Sequence, residues 1–261
     1  MSALLKKVGR IAHRTITDPR RAVTEMRMRL FAFRVLARDP EAYQMVTSWS
    51  YGSAPRLPLP DIFPGIENQG VQVARAFDRE TGTSVTAHEV LVLGAIVGHI
   101  NPKNVLEIGT FNGNTTLNMA RNCAQDATVT TLDLPPDWDG ELEIDIPESR
   151  VNVTDRNGVG RQFLGSDCET RIDQVYGDSA TLDWSGLPGP FDLIFIDGCH
   201  EYDYVLHDTS NALDHVQPGG LIVWHDYGNF SGVSRVVDDV ARSMRVCVPM
   251  GTRLAIGFPD A

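Results

Sequence analysis

Cysteine is scarce in this chain of 261 residues, and its four cysteines are scattered. No two of them have the C-x-x-C spacing that is typical of a structural zinc site or a redox motif. The chain also lacks a recognisable secretory signal, and its apolar runs fall far short of the ~20 residues that a membrane-spanning helix needs. We therefore expect a cytoplasmic protein with reduced thiols and no transmembrane segment.

Basic residues are outnumbered, because 23 Lys and Arg oppose 34 Asp and Glu and leave a net charge of −11. Such an acidic body argues against general nucleic-acid binding. Residues 1–40 are the exception, with ten Lys and Arg against three Asp and Glu. There Leu4, Val8 and Ile11 fall on one helical face, as expected for a helix that binds a membrane surface, an acidic partner or a targeting receptor. We prefer docking on the protein's own acidic domain or on a second copy. Docking on a second copy would give a homo-oligomer formed through the N-terminal helices.

Two regions are expected along the chain. For residues 1–84 the sequence predicts a basic helical extension followed by a connection rich in Pro and Gly. For residues 85–261 it predicts a single α/β domain. Residues 84–89 look like the capped start of a helix that ends near His99. Residues 245–248 and 253–256 read as a closing antiparallel hairpin.

The most informative segment is residues 104–120, where an apolar strand runs into a turn with two glycines that opens directly into a helix. Gly109 and Gly113 permit a tight turn and a close approach of a ligand, and the amides at a helix start favour electron-rich atoms. Two phosphate-binding motifs do not match this turn. A dinucleotide-binding turn needs glycine where Phe111 stands, and a P-loop needs a lysine after its last glycine.

The pattern Glu107-x-Gly109-x-x-x-Gly113 resembles the first motif of the class I S-adenosylmethionine-dependent methyltransferases, and the chain is similar to the small-molecule O-methyltransferases among them. The resemblance covers about residues 85–258. It implies an α/β fold with a Rossmann-like sheet of seven strands, helices on both faces and, in this chain, an N-terminal helical extension. Four further segments match in the order of the family, at residues 129–134, 175–179, 191–198 and 219–227.

The resemblance also implies that S-adenosylmethionine is the cofactor and that Asp133 binds its ribose hydroxyls. The β-branched residues before Asp133 predict a strand that ends there, at the sheet edge where ligands bind; a solvated or helix-capping aspartate is the alternative. Glu107 either orients the turn or lies near the amino group of the ligand, and Asp178 either contacts adenine or caps a helix. The implied cofactor contacts are Glu107, Gly109, Thr110, Phe111, Gly113, Asp133, Leu134, Asp178, Ser179 and Asp197.

Asp197, His225 and Asp226 follow the fourth and fifth strands that the resemblance implies. In the catechol and macrolide-sugar O-methyltransferases, acidic residues at these two strand ends hold magnesium, so these three residues are candidate metal ligands. His225 departs from that pattern, because imidazole suits manganese, iron or zinc better than magnesium. His225 and Asp226 reach one ion only if the strand bends at its end, since successive strand residues point to opposite faces. Without a metal, His225 or His200 is the expected general base.

The expected function is methyl transfer from S-adenosylmethionine to a hydroxyl group of a small molecule, with or without a divalent metal such as magnesium or manganese. A nicotinamide-dependent dehydrogenase on a similar sheet is one alternative, and Phe111 argues against it. A non-catalytic scaffold with a methyltransferase fold is another. The presence of Asp197, His225 and Asp226 together argues against the scaffold.

Overall fold

A sheet of eight strands forms the centre of the computed structural model, which describes residues 52–76, 85–138, 142–144 and 158–260. The strands are β1 (Arg56–Leu57), β2 (Asn104–Ile108), β3 (Thr128–Asp133), β4 (Ile172–Tyr176), β5 (Phe191–Ile196), β6 (Val216–Trp224), β7 (Arg245–Pro249) and β8 (Ala255–Phe258). Across the sheet they lie in the order β1-β7-β8-β6-β5-β2-β3-β4. The α/β class predicted from the sequence is confirmed.

The strand order reverses next to β2. From β2 the chain passes to β3 and β4 on one side, and it then crosses back to β5 on the other side of β2. These strands and β6 are parallel, whereas β8 is antiparallel to both of its neighbours. The carboxyl ends of β2 and β5 therefore border a crevice of the kind in which open α/β sheets bind their ligands.

Helices pack on both faces of this sheet. Within the described residues they are α1 (Leu59–Ile62), α2 (Ala87–Ile100), α3 (Asn114–Asn122), α4 (Tyr202–His215) and α5 (Ser231–Val240). Leu93 of α2 lies in the apolar cluster that contains Val105, and Val205 of α4 lies in the cluster that contains Leu106. Since consecutive strand residues point to opposite faces, Val105 and Leu106 place the two clusters on opposite sides of β2.

The sheet has one strand more than the seven that we expected. The additional strand is β1, which pairs in parallel with β7 and comes from the connection rich in Pro and Gly. Ala54 N donates to Tyr227 Oη at 2.9 Å, and that hydroxyl donates to Asp238 Oδ1 at 2.6 Å, which fastens the start of β1. A strand of two residues between prolines is too short to show an alternating pattern, so the sequence did not reveal it.

Two local predictions are confirmed by the structure. Thr86 caps α2 in a capping box with Glu89, and β7 and β8 form the antiparallel closing pair. The predicted basic N-terminal helix lies outside the described residues, and the boundary between residues 84 and 85 stays a prediction. None of the helices that the structure describes is long and apolar enough to cross a membrane.

Candidate functional site

The turn between β2 and α3 is closely packed on both sides. Gly109 has φ +98°, and a Cβ atom there would lie 2.2 Å from the backbone oxygen of Asp197. Gly113 has φ +83°, and its Cβ would lie 2.6 Å from Cδ1 of Phe163. Both positions thus exclude larger residues, because the backbone is left-handed and the neighbouring atoms leave no room. The turn lies directly against the end of β5.

Asp133 joins this turn to the end of β3. Its Oδ2 accepts a hydrogen bond of 2.7 Å from Phe111 N, and its Oδ1 accepts one of 2.7 Å from Leu134 N. Phe111 has φ +49°, a conformation that a non-glycine residue seldom adopts and that this hydrogen bond supports. The structure therefore brings Phe111, Asp133 and Leu134 together, as the predicted cofactor site requires.

Glu107 and Thr110 direct their side chains into the protein. The carboxylate of Glu107 is fully buried, and its Oε2 accepts hydrogen bonds from Thr116 Oγ1 and, at 2.6 Å, from Thr131 Oγ1. The hydroxyl of Thr110 lies 2.7 Å from that of Thr131. Burial raises the pKa of Glu107 to about 8. Of the two roles left open for Glu107, these contacts favour orientation of the turn.

Asp178 ties the turn after β4 to α4. Its carboxylate accepts hydrogen bonds from Tyr204 Oη at 2.9 and 3.0 Å, from Ala180 N at 3.0 Å and from Glu143 N at 3.1 Å. The hydrogen bond from Ala180 N is one by which an aspartate side chain caps the turn that follows it. Capping was the alternative to adenine binding for Asp178. The backbone oxygen of the next residue, Ser179, accepts a hydrogen bond of 3.1 Å from the indole of Trp184. The adenine contact of Asp178 and Ser179 stays a prediction.

The end of β6 bends in the way that a shared ion requires. His225 N still donates to Ile196 O of β5 at 3.0 Å, whereas Asp226 has φ +58° and turns the chain. His225 Nδ1 then lies 2.8 Å from Asp197 Oδ1 and 3.8 Å from Asp226 Oδ2. Asp197, His225 and Asp226 each offer one ligand atom, and these atoms lie within 4.8 Å of one another.

Two residues that sequence reasoning missed complete this cluster. His225 Nε2 lies 3.3 Å from Glu89 Oε2 of α2. Arg253, just before β8, donates to Glu89 Oε1 at 3.1 Å and to Glu89 Oε2 at 2.8 Å, and its Nη1 donates to Asp226 Oδ1 at 2.5 Å. Glu89 is the capping-box residue of α2, which explains it locally, so no sequence signal pointed to a second role.

Opposite charges balance in the cluster. In the chain alone, burial opposes the ionisation of Asp226, but His225, His200 and Arg253 outweigh it and hold the pKa of Asp226 well below its usual range. Burial likewise opposes protonation of His225, but the surrounding carboxylates raise its pKa well above the usual value. The buried carboxylates therefore require positive charge, which either histidine protons or a bound cation can supply.

The donor set fits a divalent cation. Arg253 binds one oxygen of Asp226, and the other oxygen is directed toward Asp197 and His225. Glu89 faces Nε2 of His225 and leaves Nδ1 directed toward the two aspartates. Two carboxylate oxygens and one imidazole nitrogen are a donor set that first-row transition metals accept.

His200 lies at the open edge of the cluster. Its Nε2 is 3.1 Å from Asp226 Oδ2 and 3.7 Å from Asp197 Oδ1, and its ring stacks on Phe230 with centroids 4.2 Å apart. The side chain of His200 is 28% exposed, against 1% for His225. In the chain alone, burial lowers the pKa of His200, but Asp197 and Asp226 outweigh it and raise that pKa to about 9.

Comparison with known proteins connects this architecture to methyltransferases. Residues 106–227 match the family model described as a methyltransferase domain. The chain is similar to a catechol O-methyltransferase of Mycobacterium tuberculosis, at 32% identity over 60% of this chain and 62% of the relative. It is also similar to catechol O-methyltransferase B of Danio rerio, at 29% identity over 51% of this chain and 44% of the relative. The chain thus spans less than two thirds of the length of either relative.

Solved structures support the same fold. A methyltransferase of Podospora anserina with bound SAH has a TM-score of 0.53 at 15% identity, covering 84% of this chain and 96% of that structure. An O-methyltransferase of Bacillus cereus, also in complex with SAH, has a TM-score of 0.50 at 20% identity, covering 68% of this chain and 83% of that structure. At these identities the likeness establishes the class I methyltransferase fold.

The buried carboxyl of Glu107 predicts a specific dependence of stability on pH. Its pKa is raised from an ordinary 4.5 to about 8, so the folded state binds a proton that the unfolded state releases. The resulting stabilisation is complete below pH 4.5 and is lost as the pH rises toward 8. Glu107→Gln cannot ionise, so the unfolding free energy of the wild type should fall relative to the variant across this window. Urea unfolding from pH 5 to 9 measures this difference, and parallel curves for the two proteins would contradict it.

Proposed function

We propose that this chain, whose residues 106–227 match the model of a methyltransferase domain, transfers the methyl group of S-adenosylmethionine to a hydroxyl oxygen of a small molecule. The observation that best supports this proposal is the position of Asp197. Its backbone oxygen packs against Gly109 of the cofactor turn, and its carboxylate lies 2.8 Å from His225 in the polar cluster. The cofactor end and the acceptor end of the site are therefore adjacent.

At the cofactor end, Asp133 accepts hydrogen bonds from the ribose hydroxyls. The supporting geometry is the ordered turn in which Asp133 holds Phe111 N and Leu134 N. A carboxylate oxygen accepts more than one hydrogen bond, so binding of backbone amides is compatible with binding of a ribose. Gly109 and Gly113 let the turn pack closely against Asp197 and Phe163, which fixes its position.

At the acceptor end, His200 takes the proton of the hydroxyl group. The C–S bond of the sulfonium breaks as the C–O bond forms, and the neutral thioether S-adenosylhomocysteine leaves. We assign this proton to the imidazole of His200 rather than to that of His225, because both ring nitrogens of His225 face carboxylates and its side chain is enclosed, whereas the side chain of His200 is 28% exposed. The stack on Phe230 holds the ring plane of His200 in place.

A divalent cation belongs to this proposal as the group that Asp197, His225 and Asp226 would hold. When bound, it would polarise the acceptor hydroxyl and supply positive charge beside His200, so that both groups lose a proton more readily. The residues of the chain orient these groups. Arg253 binds one oxygen of Asp226, and the other oxygen lies near His200 and His225.

Neither alternative function gains support from an observation. Phe111 occupies the place where a dinucleotide site needs its middle glycine, and it is held there by Asp133. Asp197, His225 and Asp226 lie close together in the structure, and a non-catalytic scaffold would not need such a cluster. Cytoplasmic location and self-association through the N-terminal helices remain predictions from the sequence.

The ribose assignment predicts that Asp133→Ala weakens S-adenosylmethionine binding. A hydrogen bond to a charged group contributes ~1.5–3 kcal/mol, so the loss in affinity should be roughly ten- to hundredfold. Titration calorimetry with S-adenosylmethionine measures it, and Asp137→Ala is the matched control, because Asp137 is exposed four residues further along the chain. Unchanged affinity in a folded Asp133→Ala protein would remove the ribose assignment.

The acceptor assignment predicts that His200→Asn slows methyl transfer while leaving cofactor affinity unchanged. Loss of a general base lowers turnover roughly hundredfold or more. The assay is formation of S-adenosylhomocysteine with catechol, simple phenols and aliphatic alcohols, each with and without added Mn²⁺ or Mg²⁺. His88→Asn is the control, since His88 is exposed on α2. Cofactor binding without transfer to any of these acceptors would count against the proposed function, and full activity of His200→Asn would remove the base assignment.

A further inference from the structure

The nitrogen donor of the cluster has a fixed direction. His225 is 1% exposed, so its ring has no access to solvent. Its Nε2 lies 3.3 Å from Glu89 Oε2, and its Nδ1 lies 2.8 Å from Asp197 Oδ1. When Nε2–H donates to Glu89, the lone pair of Nδ1 is directed toward the aspartates. A carboxylate behind the distal nitrogen is the arrangement that orients metal-binding histidines in proteins.

Glu89 is itself held rigidly. Its Oε1 accepts hydrogen bonds from Arg253 N at 2.7 Å and from Arg253 Nε at 3.1 Å. Its Oε2 accepts hydrogen bonds from Arg253 Nη2 at 2.8 Å and from Thr86 N and Thr86 Oγ1, both at 2.9 Å. This carboxylate cannot rotate without breaking several contacts, so it holds the imidazole of His225 in one orientation.

Arg253 also determines which oxygen of Asp226 is available to a metal ion. It binds Asp226 Oδ1, which leaves Oδ2 as the oxygen near His225 Nδ1, at 3.8 Å. One side chain thus orients two groups, Asp226 directly and His225 through Glu89. Asp197, His225 and Asp226 thus offer two carboxylate oxygens and one nitrogen within 4.8 Å of one another. A magnesium site would be expected to have oxygen ligands only.

We propose that Asp197 Oδ1, His225 Nδ1 and Asp226 Oδ2 form a mixed nitrogen–oxygen centre that selects a first-row transition-metal dication over Mg²⁺, with Glu89 as the positioning residue that sets this preference. Imidazole binds Mn²⁺, Co²⁺ and Zn²⁺ in proteins, whereas Mg²⁺ prefers oxygen ligands and retains water. This inference rests on the proposed function only for the location of the acceptor end. Metal binding itself can be measured without turnover.

The experiment is metal titration of the whole chain after treatment with a chelator. Calorimetry gives the affinities for Mn²⁺ and Mg²⁺, and the visible absorption of bound Co²⁺ reports nitrogen coordination. We expect one Mn²⁺ per chain, bound at least tenfold more tightly than Mg²⁺. His225→Asn replaces the nitrogen ligand by an amide oxygen, so the preference for Mn²⁺ should shrink toward unity and the Co²⁺ spectrum should change.

Glu89→Gln tests the positioning role. The variant keeps the shape of the side chain but weakens its hold on Nε2–H, so Mn²⁺ affinity should fall by roughly ten- to hundredfold. The preference for Mn²⁺ over Mg²⁺ should fall with it, which a merely structural role would not cause. Glu67→Gln is the control, because Glu67 is exposed. If Glu89→Gln does not fold, as circular dichroism would show, His225→Asn still decides the choice of metal.

Three outcomes would overturn the inference. They are no binding of Mn²⁺ or Co²⁺, equal affinity for Mn²⁺ and Mg²⁺, and an unchanged preference in folded His225→Asn. Failure of the proposed function looks different, because it would appear as absent S-adenosylmethionine binding or absent methyl transfer in protein that still binds Mn²⁺. Methyl transfer by protein that binds no metal would leave the proposed function standing and remove only the inference.

Discussion

The burial of three carboxylates beside one another is the constraint on which the candidate site depends. Glu89 and Asp226 are almost fully enclosed and contact Arg253, and the partly buried Asp197 contacts His225. An uncompensated charge in such a place costs several kcal/mol, so the cluster is stable only with matching positive charge. Arg253 supplies a permanent share through its contacts with Glu89 and Asp226. The remaining positive charge comes from protonated histidines or from a bound cation.

The topology of the sheet supplies that arginine. Because β8 is inserted antiparallel between β6 and β7, its start lies beside the end of β6. Arg253 O accepts a hydrogen bond of 3.0 Å from Tyr227 N at this junction, and its guanidinium reaches Asp226. Glu89 arrives from α2, 164 positions earlier in the chain. A buried ion pair adds little net stability compared with apolar packing, so its value here is the orientation that it gives to His225 and Asp226.

Residues that directly follow strands were predictable from the sequence, because the carboxyl ends of parallel strands meet at one edge. The family resemblance placed Asp133, Asp197 and the His225–Asp226 pair after such strands, and the structure brings the last three together. Glu89 and Arg253 were not predictable. The capping box already explains Glu89, Arg253 lies in the predicted hairpin, and their contact joins residues 164 positions apart. The inward direction of Glu107 also depends on a neighbour, because its partner Thr131 belongs to β3.

Asp197 links the two ends of the site through different atoms. Its backbone contacts Gly109, so the position of the cofactor turn is fixed relative to β5, and its carboxylate contacts His225, so the cluster is fixed relative to the same residue. Neighbouring strands lie about 5 Å apart, and β2, β5 and β6 are adjacent. In the proposed function, a ligand on the turn and a second ligand at the cluster would therefore lie about one to two strand spacings apart. An in-line displacement depends on such fixed proximity, and the sheet would provide it.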